Sequence, residues 1–308
     1  MEIPNKLLYQ WECKQGAVRA CRFNVDGNYC LTCGGDKSIK LWNPHKGLHL
    51  KSYIGHGMEV LDARGSCDNS QVASGSADKT VSLWDVTSGN VMRKWRGHVG
   101  KVTCIAFNEE STVVLSGSID GSIRAWDVKS HKKDSIQVMH EPKDSVTSLK
   151  VTQYEIFVAS LDKRIRKYDL RNGELVTDYI GQPVMSLEQT RDGQCLLLGC
   201  TDSTIKLFDK DTGELLQEFT GHKNLEYRIE SVISACDRLV LSGSEDGKIY
   251  IWDLVEGSVK ETLGMSGGHT IHSLSFHPMK QLFLSASQET VALWGTEENS
   301  DKGEESVE

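Results

Sequence analysis

The sequence predicts an all-β protein, a closed ring of seven four-stranded sheets arranged as the blades of a propeller. Strand-like segments end at an aromatic residue at seven places, namely Trp42, Trp84, Trp126, Tyr168, Phe208, Trp252 and Trp294. Successive aromatics lie 40 to 44 residues apart, which is the period of a repeat that supplies one four-stranded sheet. Seven such units use nearly all of the 308 residues. We therefore expect one propeller over residues 1–294 and no second domain.

The second unit shows the four strands of a repeat most clearly. Alternating or β-branched runs around 60–63, 71–76, 80–86 and 91–95 are separated by turn residues, as in an antiparallel meander. The tight turn between the second and third strands falls at Ala77-Asp78-Lys79. The equivalent turns contain Asp120-Gly121 and Asp246-Gly247, dipeptides that tolerate positive φ. Each unit is therefore predicted to form one small antiparallel sheet.

The two ends of the chain predict how the ring closes. Residues of about 7–13 align with the outermost strands of other units, whereas the last unit stops after its third strand. Because an unpaired strand edge promotes aggregation, we expect the N-terminal strand to complete the last blade. The remaining segment, 295–308, holds six acidic residues and one lysine, and its composition predicts a disordered acidic tail.

Polar side chains recur at fixed places in three units and predict buried structural networks. The twelve residues are His56, Ser74, Asp78, Trp84, His98, Ser116, Asp120, Trp126, His222, Ser242, Asp246 and Trp252. A hydrolase needs one such site, whereas this chain carries three copies, so a structural role is favoured over catalytic triads. Units four and five lack the Ser and the Trp, and apolar packing is expected to replace their networks.

Composition excludes several classes of function. The net charge is −8, largely from the tail, so direct nucleic-acid binding, which needs a basic face, is not expected. No apolar run is long enough to cross a membrane and no secretory signal is evident, which predicts a cytoplasmic and nuclear protein. Cys30 and Cys33 form a lone Cys-x-x-Cys pair without a second half-site, so no metal is expected. No cofactor motif or catalytic nucleophile motif is present, so the protein is predicted not to be an enzyme.

Isolated histidines at positions 45, 49, 131, 140 and 277 have no partner at ligand spacing and are expected to be solvated loop residues.

The surface expected to bind partners is the propeller face where the loops before each first strand meet the turns that carry the acidic residues. The candidate protein-binding residues on this rim are Arg19, Glu59, Lys101, Ile119, Met185, Tyr227 and Glu245. Aromatic, arginine and exposed aliphatic side chains dominate binding hot spots.

The repeats of this sequence resemble those of the WD40 β-propeller family. Gly-His pairs stand at 55–56, 97–98, 221–222 and 268–269, and the third strands of three units end in Trp-Asp. The segments 17–44, 201–227 and 244–257 are similar to the group of WD repeat scaffolds that organise mitogen-activated protein kinase signalling. This resemblance implies a non-catalytic, monomeric scaffold. It also implies three kinds of partner: kinases and adaptors of the ERK module, a prolyl hydroxylase that acts on the hypoxia factor, and components of the spliceosome.

Two alternative functions stay open. The tetrapeptide at Tyr168, Asp169, Leu170 and Arg171 resembles the WDxR box of substrate receptors of cullin-type ubiquitin ligases, with Tyr in place of Trp. Since the repeat itself places Asp after the aromatic residue, only Arg171 adds to the pattern. The second alternative is a purely structural subunit of the spliceosome, which would act through protein contacts.

Overall fold

A computed structural model describes residues 3–265 and 267–296, and in this part of the chain all regular structure is β-strand. Twenty-eight strands form seven antiparallel four-stranded sheets. The sheets follow one another around a ring, because the first strand of each sheet contacts the first strands of both neighbouring sheets. The predicted all-β, seven-bladed propeller is therefore confirmed.

The first four blades follow the chain in simple order. Blade one contains β2 (Val18–Phe23), β3 (Cys30–Gly34), β4 (Ser38–Asn43) and β5 (Leu48–Ile54). Blade two contains β6 (Val60–Gly65), β7 (Gln71–Ser76), β8 (Thr80–Asp85) and β9 (Val91–Arg96). Blade three contains β10 (Val102–Phe107), β11 (Val113–Ser118), β12 (Ile123–Asp127) and β13 (Gln137–Met139). Blade four contains β14 (Val146–Val151), β15 (Glu155–Ser160), β16 (Arg164–Asp169) and β17 (Leu175–Tyr179).

The last three blades complete the ring. Blade five contains β18 (Val184–Gln189), β19 (Cys195–Cys200), β20 (Ile205–Asp209) and β21 (Leu215–Phe219). Blade six contains β22 (Ser231–Ile233), β23 (Leu239–Ser242), β24 (Lys248–Asp253) and β25 (Val259–Gly264). Blade seven contains β26 (Ile271–Phe276), β27 (Phe283–Ser287), β28 (Thr290–Gly295) and the N-terminal strand β1 (Lys6–Glu12).

The N-terminal strand closes the ring as the sequence predicted. β1 pairs antiparallel with β28, with Leu7 opposite Trp294 and Trp11 opposite Val291. The backbone N–H of Cys13 extends this pairing by donating to the carbonyl oxygen of Glu289 at 2.7 Å. The last blade therefore has no open third-strand edge. From residue 297 onward, the predicted acidic tail lies outside the described residues.

A β-bulge re-aims one side chain in the innermost strand of six blades. The register shifts directly after the first residue of β2, β6, β10, β14, β18 and β26. The residues at the bulges are Arg19, Leu61, Thr103, Thr147, Met185 and His272. Bulges turn side chains out of the regular alternation. Here they bring Arg19, Leu61, Thr103 and His272 to the same end of the central channel.

The turns between second and third strands share one backbone conformation. In six blades the residue after the turn acid has a φ between 62° and 79°, namely Lys37, Lys79, Gly121, Lys163, Ser203 and Gly247. Gly247 also needs its missing side chain, because a Cβ there would lie 2.6 Å from the carbonyl carbon of Gly268. In the shorter turn of blade seven Gln288 takes the positive φ, at 46°. A positive φ therefore occurs in this turn of all seven blades, including the two Asp-Gly turns where the sequence favoured it.

The core is divided among the seven junctions between neighbouring blades. Each buried apolar cluster joins side chains of two adjacent blades. At the junction of blades two and three, Trp95 and Trp126 are both buried and stack with their ring centroids 5.8 Å apart. Fully burying a large apolar side chain contributes about 1.5 to 3 kcal/mol, so the blades are held to each other as well as within themselves. No helix long and apolar enough for a membrane span occurs in the described part of the chain.

Candidate functional site

One face of the propeller collects the loops before the innermost strands and the turns between second and third strands. Backbone hydrogen bonds join the two sets: Ala77 donates to Glu59 O at 2.9 Å, and Ile119 donates to Lys101 O at 3.0 Å. We call this face the rim face, and it includes the loops at 13–17, 55–59, 97–101, 140–145, 180–183, 220–230 and 267–270. The opposite face carries the loops between first and second strands and between third and fourth strands.

The predicted polar network of blade two is complete. The indole N–H of Trp84 donates to Ser74 Oγ at 2.8 Å, and that oxygen lies 2.8 Å from His56 Nε2. His56 Nδ1 lies 3.2 Å from a carboxylate oxygen of Asp78. The same oxygen accepts the backbone N–H of Gly57 at 2.8 Å. The chain of hydrogen bonds ties the third strand, the second strand and the rim loop together.

Blade three repeats this network. Trp126 donates to Ser116 Oγ at 2.8 Å, and Ser116 Oγ lies 2.7 Å from His98 Nε2. His98 Nδ1 lies 3.3 Å from Asp120 and 3.0 Å from Ser122 Oγ. Burial alone would raise the pKa of Asp120, but hydrogen bonds from Ser122, the N–H of Val99 and the charge of His98 outweigh it and lower this pKa below its usual range. Burial lowers the pKa of His98. Ser74 and Ser116 are fully buried, and each bonds to an indole N–H and to a histidine ring nitrogen, as a structural role requires.

The prediction of the same network in blade six is wrong. His222 is buried, yet neither of its ring nitrogens has a hydrogen-bond partner. Its expected partners bond elsewhere: Trp252 donates to Thr220 O at 3.0 Å, Ser242 Oγ to Gly243 O at 2.9 Å, and Asp246 accepts from Tyr250 at 2.8 Å. His222 instead meets the Trp252 ring edge-on at 5.5 Å. Burial lowers the pKa of His222 to about 4.

Blades one and seven replace the histidine with a different group. In blade one Gln15 takes its place, accepting from Thr32 and donating to Ser38 O at 3.1 Å, while Trp42 donates to Thr32 at 2.8 Å. In blade seven Ser285 receives Trp294 at 2.8 Å and donates to Met265 Sδ at 3.0 Å. The sequence did not indicate either substitute, because neither residue type matches the recurring histidine.

Blade four corrects the expectation of purely apolar packing. The buried guanidinium of Arg166 binds both carboxylate oxygens of Asp162, at 3.2 and 2.5 Å. Burial alone would raise the pKa of Asp162, but Arg166 and the N–H of Lys143 lower it. Tyr168 donates its hydroxyl to Glu141 at 2.9 Å. An ion pair thus holds the turn acid that a histidine holds in blades two and three, whereas in blade five Leu198 and the partly buried Phe208 pack in an apolar cluster.

Three of the predicted rim residues form one charged group across three blades. Glu59 accepts from Arg19 at 3.2 Å and lies 3.8 Å from Lys101 Nζ. The three side chains are partly exposed. Beside them a narrow cavity of about 250 Å³ is lined by Arg19, Glu59, Leu61, Thr103, Tyr227, Arg228, Glu230 and His272. The structure therefore places three of the predicted rim residues, Arg19, Glu59 and Tyr227, at one mouth of the channel.

Tyr227 and Glu245 have different roles in this mouth. Tyr227 is 48% exposed and meets His272 edge-on at 5.6 Å. The carboxylate of Glu245 is nearly buried and accepts the backbone N–H groups of Leu225, Glu226 and Tyr227 at 2.8, 2.7 and 3.2 Å. Glu245 was predicted as a binding residue, but it holds the loop instead of presenting itself to a partner. Ile119 is exposed on this face, and Met185 is half-buried.

The sequence did not reveal the charged cluster inside the channel. Arg22, Asp62 and Glu230 are all buried, and Arg22 binds Asp62 at 3.0 Å and Glu230 at 2.5 Å. Burial alone would raise the pKa of Glu230, but the charge and hydrogen bonds of Arg22 lower it. The signal was available, since charged residues inside otherwise apolar innermost strands are costly unless paired.

Glu230 of this cluster lines both the narrow cavity on the rim face and a larger cavity behind it, and it is the one residue that the two linings share. Arg228 reaches across from blade six to donate to Thr103 O of blade three at 2.8 Å. Partners on opposite faces would therefore meet different surfaces.

The remaining predicted residues lie away from this mouth. Arg171 is exposed on the opposite face, where it donates to Asp169 at 3.0 and 2.5 Å and lies over the Tyr154 ring at 5.2 Å.

Cys30 and Cys33 are fully buried free thiols whose pKa values burial raises. Over residues 3–265 and 267–296 no group of three metal-ligating side chains is found. His277 is not a solvated loop residue as expected, because it is buried and accepts the N–H groups of Met279 and Lys280 at 3.0 Å.

Comparison with known proteins agrees with this architecture. A family model described as WD domain, G-beta repeat matches residues 5–43, 47–85, 89–127, 173–209, 213–253 and 260–295. The gap between matches at 128–172 covers the fourth unit, where the Ser and Trp are replaced.

Similar proteins are known from mammals and from a yeast. The chain is 58% identical over 296 residues to WD repeat domain-containing protein 83 of Homo sapiens and 57% to that of Rattus norvegicus, covering 96% of this chain and 94% of each relative. It is 46% identical over 270 residues to an uncharacterized WD repeat-containing protein of Schizosaccharomyces pombe, covering 88% of this chain and 91% of that protein.

Proposed function

This chain belongs to the WD40 repeat family, whose β-propellers act in protein–protein interaction and are generally non-catalytic scaffolds, and from that premise we propose that its rim face assembles a multiprotein complex. The observation that carries the proposal is the exposed ring of Tyr227 on a loop that Glu245 fixes through three backbone hydrogen bonds. A surface that is already ordered loses little conformational entropy when a partner binds.

The chemistry around Tyr227 also suits a protein partner. Tyrosine and arginine are the residue types most enriched in binding hot spots, which cluster near the centre of an interface. Tyr227 and the partly exposed Arg19 line the same central mouth, and the exposed Ile119 lies on the same face. The two cations Arg19 and Lys101 share the single carboxylate Glu59, which favours a partner with an acidic side chain at this point.

The likeness of segments 17–44, 201–227 and 244–257 to scaffolds of mitogen-activated protein kinase signalling supports a more specific proposal. The partners are kinases and adaptors of the ERK module, with further roles in regulation of the hypoxia factor through a prolyl hydroxylase and in pre-mRNA splicing. A protein with these partners works in both cytoplasm and nucleus. The segment 201–227 ends at Tyr227, so the likeness and the proposed docking surface overlap.

The experiment compares two tyrosine variants of the tagged protein in quantitative affinity enrichment. Tyr227→Ala removes the proposed anchor, and Tyr179→Ala removes another exposed ring, on the outermost strand of blade four. ERK-module proteins should fall by about ten-fold or more with Tyr227→Ala, as for a hot spot worth over 1.4 kcal/mol. Tyr179→Ala should leave them unchanged.

Melting temperatures decide how a loss is interpreted. If Tyr227→Ala melts as the unaltered protein does, loss of partners comes from the surface. If it retains every partner, or destabilises the propeller as a core substitution would, the proposed docking surface is wrong.

A further inference from the structure

The larger cavity of the channel opens on the opposite face of the propeller and has a volume of about 930 Å³. Its walls are polar and apolar side chains of the innermost strands, and its mouth is formed by loops between first and second strands, including 152–154, 191–194 and 277–279. This volume is of the size that holds small ligands in proteins, about 300 to 1,000 Å³.

The innermost strands carry charged side chains of both signs around this cavity. Together with the residue just before β22 they contribute three cations, Arg22, Arg64 and Lys150, and three acids, Asp62, Glu188 and Glu230. All three acids already bind a cation. Asp62 binds Arg22, Glu230 binds Arg22 and Arg228, and Glu188 binds Lys150.

Arg64 is the cation that this pairing leaves over. Its nearest carboxylate contact is 3.9 Å long, between Nε and an Asp62 oxygen that already accepts the N–H of Ile105 at 3.1 Å. No hydrogen bond from its guanidinium to an acceptor is present among the described residues. The side chain is 41% accessible although it lies inside the ring, and it lines the larger cavity.

A second cation lies close to Arg64. Burial and then the neighbouring charge of Arg22 lower the pKa of Arg64, yet an arginine stays charged at neutral pH. The guanidinium can pair with an oxyanion of matching shape, since two parallel N–H···O bonds fit carboxylate and phosphate geometry.

We propose that the cavity on the opposite face is a binding site for a small free oxyanion, a carboxylate or a phosphate, held by the guanidinium of Arg64. The ligand enters between the loops of the opposite face and pairs with the guanidinium that the acids of the innermost strands leave over. This site differs from the rim face, because the two cavities have Glu230 as their one common lining residue.

Isothermal titration calorimetry at constant ionic strength in chloride buffer tests the proposal, with inorganic phosphate in one series and succinate in another. At least one anion should bind the unaltered protein, and the series that gives heat identifies a phosphate or a carboxylate site. Arg64→Gln should weaken that binding by about ten-fold or more, as loss of a charge-assisted pair does. Arg96→Gln is the matched control, since Arg96 is exposed on the outermost strand of the same blade, and it should bind as the unaltered protein does.

A second variant guards against failure to fold. Arg64→Lys keeps the charge but loses the planar fork, and we expect it to fold and to bind more weakly than the unaltered protein. Equal binding by the Arg64 variant that folds and by the unaltered protein would overturn the proposal. The absence of heat with both anions at about ten millimolar would also overturn it. That concentration is about ten times the dissociation constant of a weak site that binds at about 1 mM.

Discussion

The carboxylate of Glu245 accepts the backbone N–H of Tyr227 at 3.2 Å, in the same cluster of bonds that holds Leu225 and Glu226. Hydrogen bonds from backbone N–H groups also help to lower the pKa of Glu245, although burial opposes this. Glu245, in the turn between β23 and β24, thus orders the loop of the same blade that presents the exposed ring of Tyr227.

Glu245→Ala should loosen this loop without unfolding the propeller. Removing a charged acceptor of three N–H groups costs about 1.5 to 3 kcal/mol locally, so amide hydrogen exchange over residues 225–227 should become at least about ten-fold faster. Glu218→Ala, at an exposed position on β21, is the control and should leave exchange unchanged. Unchanged protection at 225–227 in Glu245→Ala would show that other contacts order the loop.

The buried histidines of blades three and six should respond differently to removal. His98→Met takes a partner from Ser116 and Asp120, and leaving buried polar groups unsatisfied costs about 1 to 3 kcal/mol. His222→Met removes an imidazole with no hydrogen-bond partner, so it should change the free energy of unfolding by less than about 1 kcal/mol. Urea unfolding of the two variants measures the difference. Equal losses would mean that His222 also takes part in a network.

Acid should weaken the protein in a window set by its buried histidines. Burial lowers the pKa of His222 and of His277 to about 4, from an ordinary value of 6.5. Between pH 6.5 and 4 the unfolded state therefore binds more protons, and stability falls as the pH falls, by up to about 1.4 kcal/mol per pH unit for each histidine.

The acids of the polar networks do not contribute in this window. Hydrogen bonds hold the pKa of Asp78 and of Asp120 below the usual 3.8, so their stabilisation is lost only at lower pH. Urea midpoints measured across the window should show a shallower slope in His222→Met and in His277→Gln. A slope that neither substitution changes would contradict the assignment to these two histidines.

Deletion of residues 1–13 should destabilise the whole ring. The deletion removes β1 together with the buried Trp11, and it exposes the edge of β28 along with part of the core between blades seven and one. Since each blade is held by its two neighbours, we expect one cooperative thermal transition at a lower temperature. An unchanged melting temperature would refute the closure by β1.

The period of the aromatic residues was enough to predict the number of blades, and the match of residues of about 7–13 to the outermost strands of other units predicted the closure by the N-terminal strand. Those features depend on backbone pattern, which repeats. The network of blade six was mispredicted because Trp84 and Trp252 occupy the same repeat position but donate to different acceptors, Ser74 Oγ and Thr220 O. The loop before the innermost strand is longer in blade six, where the aromatic spacing is 44 residues.

Contacts across the ring were the hardest to predict. The pairing of Arg22 with Glu230 joins residues 208 positions apart, and no repeat relates them. Glu245 could not be assigned from its turn position alone, because its role depends on the path of the loop at 225–227. The pairing of Arg166 with Asp162 was also not predictable, because the repeat pattern treats the position of Arg166 as variable.

Crosslinking mass spectrometry of the protein with an ERK-module kinase tests the central claim, the docking of partners on the rim face, most directly. Lys101 and Lys223 are exposed on the rim face, and Lys132 and Lys280 are exposed on the opposite face. We predict crosslinks from the partner to Lys101 and Lys223, and their loss in Tyr227→Ala. Crosslinks confined to Lys132 and Lys280, unaffected by Tyr227→Ala, would contradict the account.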